Sequence, residues 1–183
     1  MSLAKQVKVG NITNLSEARY CAGMGVEYLS FPISSIDPKT FKEITGWVSG
    51  PKFGIEIGSN ENVDSYQADF IVKPIQLLNS GVVDQNIVVQ LTPDDLPSLK
   101  EQLILHKNQI SFLDLSASDI SSLQQTINEL KEDFKIFVRL NGNLEDYLNL
   151  SIDGLSLDGN AEERPGLKEY PIAEVLERLE IVD

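Results

Sequence analysis

Short β-rich runs alternate with loops or helix-like segments along the whole chain, and this alternation limits the fold more than any other feature. Eight such runs occur in 183 residues, and they are apolar and rich in β-branched or aromatic residues, as strands buried on both faces are. Strict alternation of strand and helix predicts a parallel sheet with right-handed crossovers. The runs span residues 7–10, 27–31, 52–57, 69–73, 86–91, 110–115, 135–140 and 152–157.

The connections between these runs differ in length. Asp37-Pro38 and Thr92-Pro93 each place a helix-capping residue before a proline that suits the first helical turn. Short connections follow the third, fourth and seventh runs, at residues 60–67, 74–80 and 143–150, and they predict single turns. Longer helical patterns span residues 16–23, 38–48, 93–106, 118–131 and 172–179.

Eight strand–helix units favour a closed (βα)8 TIM barrel over an open doubly wound sheet. The chain is shorter than the usual lower limit of about 200 residues for this barrel, and the shortened helices account for the deficit. No linker, repeat or low-complexity stretch interrupts the pattern. We therefore predict one compact domain over residues 1–183, with an open or incomplete barrel as the alternative.

Composition and charge exclude several classes of partner. The net charge is -13, from 28 acidic and 15 basic residues, and such a surface repels nucleic-acid phosphates and anionic membranes. No apolar run is long enough to cross a bilayer, and no secretory signal is apparent. The single cysteine fits a reducing compartment. We expect a cytoplasmic protein, monomeric or homodimeric, with no nucleic-acid or membrane partner.

The amino-terminal segment carries the most specific motif. Lys8-Val9-Gly10-Asn11-Ile12-Thr13 closes the first run, and a helix and a second strand follow directly. This opening resembles phosphoribosylanthranilate isomerase, an enzyme family of tryptophan biosynthesis whose first strand reads Lys-Ile-Cys-Gly-hydrophobic-Thr. Phe112-Leu113-Asp114 and the segment from Glu162 to Lys168 resemble the family's sixth-strand motif and the segment after its last strand. The resemblance implies the same barrel fold.

The resemblance also implies a reaction, the Amadori rearrangement of an aminoaldose to an aminoketose. That reaction needs an acid at the ring oxygen and a base at the adjacent carbon. Asp114 stands at the position of the family's acid, whereas Gly10 stands where the catalytic cysteine belongs. Because glycine cannot accept a proton, we predict a divergent member without the usual isomerase activity. A thiol or carboxylate reaching into the space beside Gly10 would contradict this interpretation.

Polar residues near the carboxyl ends of the predicted strands form the candidate site, since function in this fold lies at that face. In one interpretation Lys73 or Glu56 is a relocated base and Arg139 clamps an anion. In the other, Glu56, Lys73, Asp114 and Arg139 neutralise one another and close the mouth, because buried charges must pair. The candidate ligand-binding residues are Asn11, Gln90, Arg139, Gly142 and Gly159, and Asp158 would oppose a phosphate.

Three functional hypotheses therefore stay open. The first is a divergent barrel that binds a small ligand or a protein partner. The second is an active isomerase of phosphoribosylanthranilate or a related phosphosugar, with Asp114 as acid and a relocated base. The third is a structural or partner-binding barrel with a charge-paired mouth. A ligand would be a small phosphorylated or carboxylated metabolite, and we expect no cofactor.

Three isolated residues are predicted to have no part in chemistry. His106 is the only histidine, and with a single cysteine it offers no zinc site. Cys21 falls within a helical pattern and is predicted to be a buried packing residue. Trp47 lies near Ile44 and Val48 on an apolar helix face and is predicted to be in the core.

Overall fold

The computed structural model describes residues 2–80, 86–159 and 171–181. They form a closed barrel of eight parallel strands in chain order, with β1 paired to β8, which confirms the predicted (βα)8 architecture. The strands are β1 (Gln6–Gly10), β2 (Tyr28–Pro32), β3 (Lys52–Glu56), β4 (Phe70–Pro74), β5 (Ile87–Leu91), β6 (Ile110–Leu115), β7 (Ile136–Arg139) and β8 (Gly154–Asp158). The helices are α1 (Leu15–Gly23), α2 (Pro38–Gly46), α3 (Leu96–Leu105), α4 (Ile120–Leu130), α5 (Leu144–Leu148) and α6 (Pro171–Leu179).

Side-chain caps fix the starts of three helices. Asn14, Asp37 and Asp119 each accept a hydrogen bond from the backbone N–H three residues further on, at α1, α2 and α4 respectively. Such caps satisfy donors that have no partner within the helix and stabilise it by about 1 kcal/mol each. Local sequence therefore sets where these crossovers begin.

Several connections are shorter than full helices, as predicted. The connection after β3 holds only the 3₁₀ turn Asp64–Tyr66, and the described part of the connection after β4 holds Ile75–Leu77. The helix predicted over 93–106 is instead two elements, the 3₁₀ turn Pro93–Asp95 and then α3. A second proline, Pro97, lies in the first turn of α3 and lacks the N–H that would continue one regular helix from Pro93.

Aromatic rings fill the amino-terminal half of the barrel interior. Phe112 and Phe137 stack at 4.1 Å between centroids, and the Tyr28 ring meets them edge-on at 5.0 and 5.7 Å. Gly54 and Gly154 lie beside these rings, and a Cβ added to Gly154 would lie 2.6 Å from Phe137. The two glycines therefore make room for the aromatic plug, which consists of Tyr28, Phe70, Phe112 and Phe137.

The prediction that Trp47 lies in the core is wrong. Helix α2 ends at Gly46, so Trp47 leaves the helical face that buries Ile44, and it is 75% exposed. Cys21 is buried, as predicted, and burial together with Glu17 raises the pKa of its thiol to about 12. This thiol therefore stays protonated and is no nucleophile.

Among the residues described, no helix combines the length and the apolar character that a membrane crossing requires.

Candidate functional site

Strand alternation decides which side chains enter the barrel. On β1, Val7 and Val9 belong to the core between strands and helices, whereas Lys8 reaches Asp114 across the interior. The same alternation brings five charged side chains together at the carboxyl ends of the strands. This charge cluster consists of Lys8, Glu56, Asp114, Arg139 and Asp158.

Lys8 lies at the centre of the charge cluster. Its side chain is fully buried, with Nζ 3.2 Å from Asp114 Oδ2 and 3.8 Å from Glu56 Oε1. A buried ammonium is costly unless it is paired and hydrogen-bonded, and here carboxylates from β3 and β6 supply the pairing. Lys8 therefore links two strands that are not neighbours in the sheet.

Asp114 is held as a carboxylate. Its Oδ2 accepts hydrogen bonds from Lys8 Nζ, Arg139 Nη2 at 3.3 Å and Ser156 Oγ at 3.1 Å. Burial alone would raise the pKa of Asp114, but the charges of Lys8 and Arg139 outweigh it and hold the pKa below its ordinary value. Asp114 is therefore ionised at neutral pH, which opposes a role as proton donor.

Glu56 occupies the space beside Gly10. A Cβ added to Gly10 would lie 2.5 Å from Glu56 Oε1. The same oxygen accepts hydrogen bonds from Ser30 Oγ and from the Asn11 N–H at 3.1 Å. The space that the sequence left empty therefore holds a carboxylate. This contradicts the sequence-based argument that no base can act beside position 10, so the absence of a side chain there no longer argues against isomerase activity.

Arg139 is shared between two carboxylates. Nη2 pairs with Asp114, and Nη1 lies 3.4 Å from Asp158 Oδ2. Burial alone would lower the pKa of Arg139, but Asp114 and Asp158 raise it above its ordinary value. Because both terminal nitrogens already contact carboxylates, Arg139 is poorly placed to clamp an anionic ligand. Two buried atoms of this pair, Asp114 Oδ1 and Arg139 Nε, have no hydrogen-bond partner.

The remaining predicted residues separate into two groups. Gln90 is in register with Asp114 and lies on the same strand face as the interior residue Val88. Lys73 pairs in register with Val89, which packs towards the helices, and so lies on the opposite face of β4 from the interior residue Val72. The structure thus brings Glu56, Gln90, Asp114 and Arg139 together at the mouth and places Lys73 outside it.

The two candidate phosphate-loop glycines differ in their surroundings. Gly142 has a positive φ of 127°, and nothing lies within 4 Å of its missing Cβ. The Gly159 N–H already donates to the Gly10 carbonyl at 2.7 Å, and a Cβ at Gly159 would lie 2.5 Å from Glu17 Oε1. Phosphate sites need uncommitted N–H groups and a positive field. Gly159 therefore offers no such site.

Sequence reasoning missed three residues that hold the cluster together. Lys8 entered only through the motif, and Ser30 and Ser156 were not singled out, although all three are fully buried. One signal was available: a lysine between two valines in a short apolar run must be buried, and buried lysines need partners. Nothing comparable marked the two serines.

Clusters of metal ligands are absent from the described residues 2–80, 86–159 and 171–181. These residues contain no group of three His, Cys, Asp or Glu side chains placed to hold a metal ion. His106 lies at the end of α3, where its ring nitrogens contact Asn79 Oδ1 at 2.9 Å and Gln109 Oε1 at 3.0 Å. The segment 162–168, which contributes to the resemblance, lies outside the described residues.

Comparison with solved structures places the barrel near phosphoribosylanthranilate isomerases. That enzyme from Thermotoga maritima matches with a TM-score of 0.70 and 14% identity, over 95% of this chain and 97% of that one. The enzyme from Thermus thermophilus gives 0.67 and 16%, over 95% and 96% of the two chains. KGPDC from Streptococcus mutans gives 0.65 and 12%, over 97% and 99%. At such identities the likeness establishes the fold alone.

No family model matches the sequence, and no curated protein sequence matches it.

Proposed function

We propose that this chain is a divergent barrel with the phosphoribosylanthranilate isomerase fold that does not catalyse the Amadori rearrangement. Its charge cluster holds the strand ends together, and any ligand binds elsewhere or without a phosphate. The observation that carries this proposal is the threefold hydrogen bonding of Asp114 Oδ2 by Lys8, Arg139 and Ser156. A carboxylate stabilised by two cations is a poor acid at neutral pH, so the position of the family's acid supplies no proton.

The surroundings of Gly159 support the same conclusion. The family's reaction acts on a phosphorylated substrate, and a phosphate dianion beside Gly159 would face the carboxylates of Glu17 and Asp158. Glu17 is buried there, and Asp158 already pairs with Arg139. Repulsion between these carboxylates and a phosphate would disfavour binding. A phosphorylated ligand is therefore poorly suited to the carboxyl end of the barrel.

One observation favours a second candidate, an enzyme that moves a proton with Glu56 as its base. Glu56 Oε1 occupies the space next to Gly10, and the side chain keeps 20% of its surface exposed at the mouth. A carboxylate at the end of a barrel strand is a common general base. This candidate is the active isomerase with a relocated base, and in it Lys8 would position the Glu56 carboxylate.

Growth of a bacterial tryptophan auxotroph lacking the isomerase distinguishes the two candidates. The wild-type chain is expressed beside the variants Glu56→Gln and Asp114→Asn, with Glu43→Gln on the exposed face of α2 as the matched control. Circular dichroism confirms that each protein folds. A direct assay of the purified proteins with phosphoribosylanthranilate accompanies the growth test.

We expect no growth and no turnover above background from the folded wild-type protein. Rescue that persists in Glu43→Gln and is lost in Glu56→Gln would overturn the leading proposal and establish Glu56 as a relocated base. Rescue lost in Asp114→Asn as well would assign that residue the acid role.

A further inference from the structure

A second concave site lies at the opposite end of the barrel from the charge cluster. A cavity of about 160 Å³ opens where β2 to β6 begin, below the aromatic plug. Function in this fold is associated with the other end, so nothing in the family's chemistry accounts for this cavity. The walls of the cavity are apolar and its rim is polar, and these two features indicate which class of ligand would fit.

The walls are aromatic. The Tyr28 ring lies edge-on to Phe70 at 5.8 Å and to Phe112 at 5.0 Å between centroids, and all three line the cavity. A cavity of about 150 Å³ lined by apolar side chains holds one benzene molecule. Size and lining therefore suit a single six-membered aromatic ring, which gains from edge-to-face contacts with rings already fixed by packing.

The rim is polar and donor-rich. Lys52, Asn86 and Ser111 line it, and their side chains make no hydrogen bond or ion pair with any residue of the described chain. The strand register shifts between Ile87 and Val88, which leaves Ser111 without a partner on β5. Bulges of this kind often redirect side chains at binding sites.

Uncommitted hydrogen-bond donors at the rim favour an anion over a cation. Lys52 and Asp69 both line the cavity, but Asp69 Oδ2 accepts the Phe53 N–H at 2.8 Å and is committed to the sheet. Burial and the neighbouring Glu27 raise the pKa of Tyr28, so its hydroxyl stays protonated and can donate. Three donors and an ammonium thus lie near two carboxylates, Asp69 and Glu27, and each carboxylate already accepts a backbone N–H.

We propose that this cavity binds a small monocyclic aromatic carboxylate, with the ring against Tyr28 and Phe112 and the carboxylate at Lys52. This proposal is independent of the function proposed for the charge cluster, since the two sites lie at opposite ends of the strands and share no residue. A few convergent polar groups around an apolar pocket are typical of small-molecule sites.

Titration of the full ¹⁵N-labelled chain, followed by amide chemical shifts, tests the proposal with three probes. Benzoate carries both features, benzylamine keeps the ring and reverses the charge, and acetate keeps the charge without the ring. We expect saturable shifts with benzoate alone, at a dissociation constant on the order of 1 mM for so small a ligand. The shifting amides would be those of Lys52, Asp69 and Ser111.

Variants assign the binding to this cavity. Lys52→Gln should weaken benzoate about three- to fivefold, the size of a partly exposed ion pair, while Lys42→Gln on the surface of α2 leaves it unchanged. Ser111→Leu should abolish binding by filling the rim. Absence of saturation by about 10 mM benzoate, equal binding of benzylamine, or an unchanged Lys52→Gln would each overturn the proposal.

Discussion

The two ends of the barrel interior are filled by opposite means. At the carboxyl end, two cations and three carboxylates form ion pairs of 3.2 to 3.8 Å that leave one net negative charge. At the amino end, rings occupy the space that Gly54 and Gly154 leave. The attraction within a buried ion pair barely exceeds the cost of desolvating its charges, and losing one member leaves the other charge buried and unpaired. The stability of packed rings depends instead on how well their volume fits the available space. The comparison teaches that the carboxyl end is sensitive to the loss of a buried charge and the amino end to added bulk.

Loss of Lys8 should have the largest effect. Lys8→Met leaves the buried Asp114 carboxylate with one cation fewer and removes the link to Glu56. Removing one partner of a buried ion pair costs about 3–5 kcal/mol of unfolding free energy. Urea unfolding followed by circular dichroism measures it, with the exposed Lys42→Met as control. A loss below about 1 kcal/mol would show that the cluster is not a cooperative unit.

Added bulk at the amino end should be the next most damaging change. A Cβ at Gly54 would overlap the Phe70 ring, whereas nothing lies within 4 Å of the corresponding position at Gly58. We expect Gly54→Ala to lower the unfolding free energy by about 1–3 kcal/mol and Gly58→Ala to change it little. Phe70→Leu in the Gly54→Ala background should restore part of the loss. Additive effects of the two changes would contradict the volume match.

Gly10 allows added bulk to be tested at the charged end of the barrel. A Cβ there meets the Glu56 carboxylate, the far end of a flexible chain that can move but would lose its bonds to Ser30 and Asn11. We expect Gly10→Ala to cost about 1 kcal/mol, the worth of a hydrogen bond or two. A double-mutant cycle with Glu56→Ala should show that the two losses are not additive. Simple additivity would mean that Glu56 does not occupy the space.

Acid should act on the charged end and spare the aromatic end. Because the pKa of folded Asp114 is lowered, the unfolded chain binds the proton more readily, and stability falls as pH drops below the ordinary aspartate pKa of about 3.9 towards the folded value. Asp114→Asn should reduce the change of the urea midpoint with pH between about pH 5 and pH 2, whereas Phe70→Leu should leave that pH dependence unchanged. An unchanged slope in Asp114→Asn would indicate that the carboxylate is not stabilised in the folded state.

The barrel could be predicted from the sequence because buried parallel strands have a distinct composition. Runs such as Ile136-Phe137-Val138, with proline-led helices between them, specify the alternation locally. The prediction that Trp47 lies in the core was wrong because helix α2 ends at Gly46, one residue before Trp47. The helix predicted over 38–48 ends two residues early, and hydrophobic spacing alone does not show where a helix ends.

The candidate site could be predicted only in part of its membership. Strand ends supplied Glu56, Asp114 and Arg139, but their pairing depends on distances across the closed interior, which no local pattern encodes. The Glu56 carboxylate reaches Gly10 from β3, past Ser30 of β2. Lys73 shows the sensitivity of such reasoning to register, since one residue along a strand moves a side chain to the other face.

The connection after β3 contains one 3₁₀ turn, Asp64–Tyr66, where a crossover helix would ordinarily cover the strand. A wall without a full helix has fewer buried contacts to lose when it opens. Deuterium should therefore enter the amides of β3 and β4 through local openings well below the global unfolding free energy, while β6, which α3 and α4 flank, exchanges last. The barrel, although its hydrogen bonding is closed, would then open locally between β3 and β4.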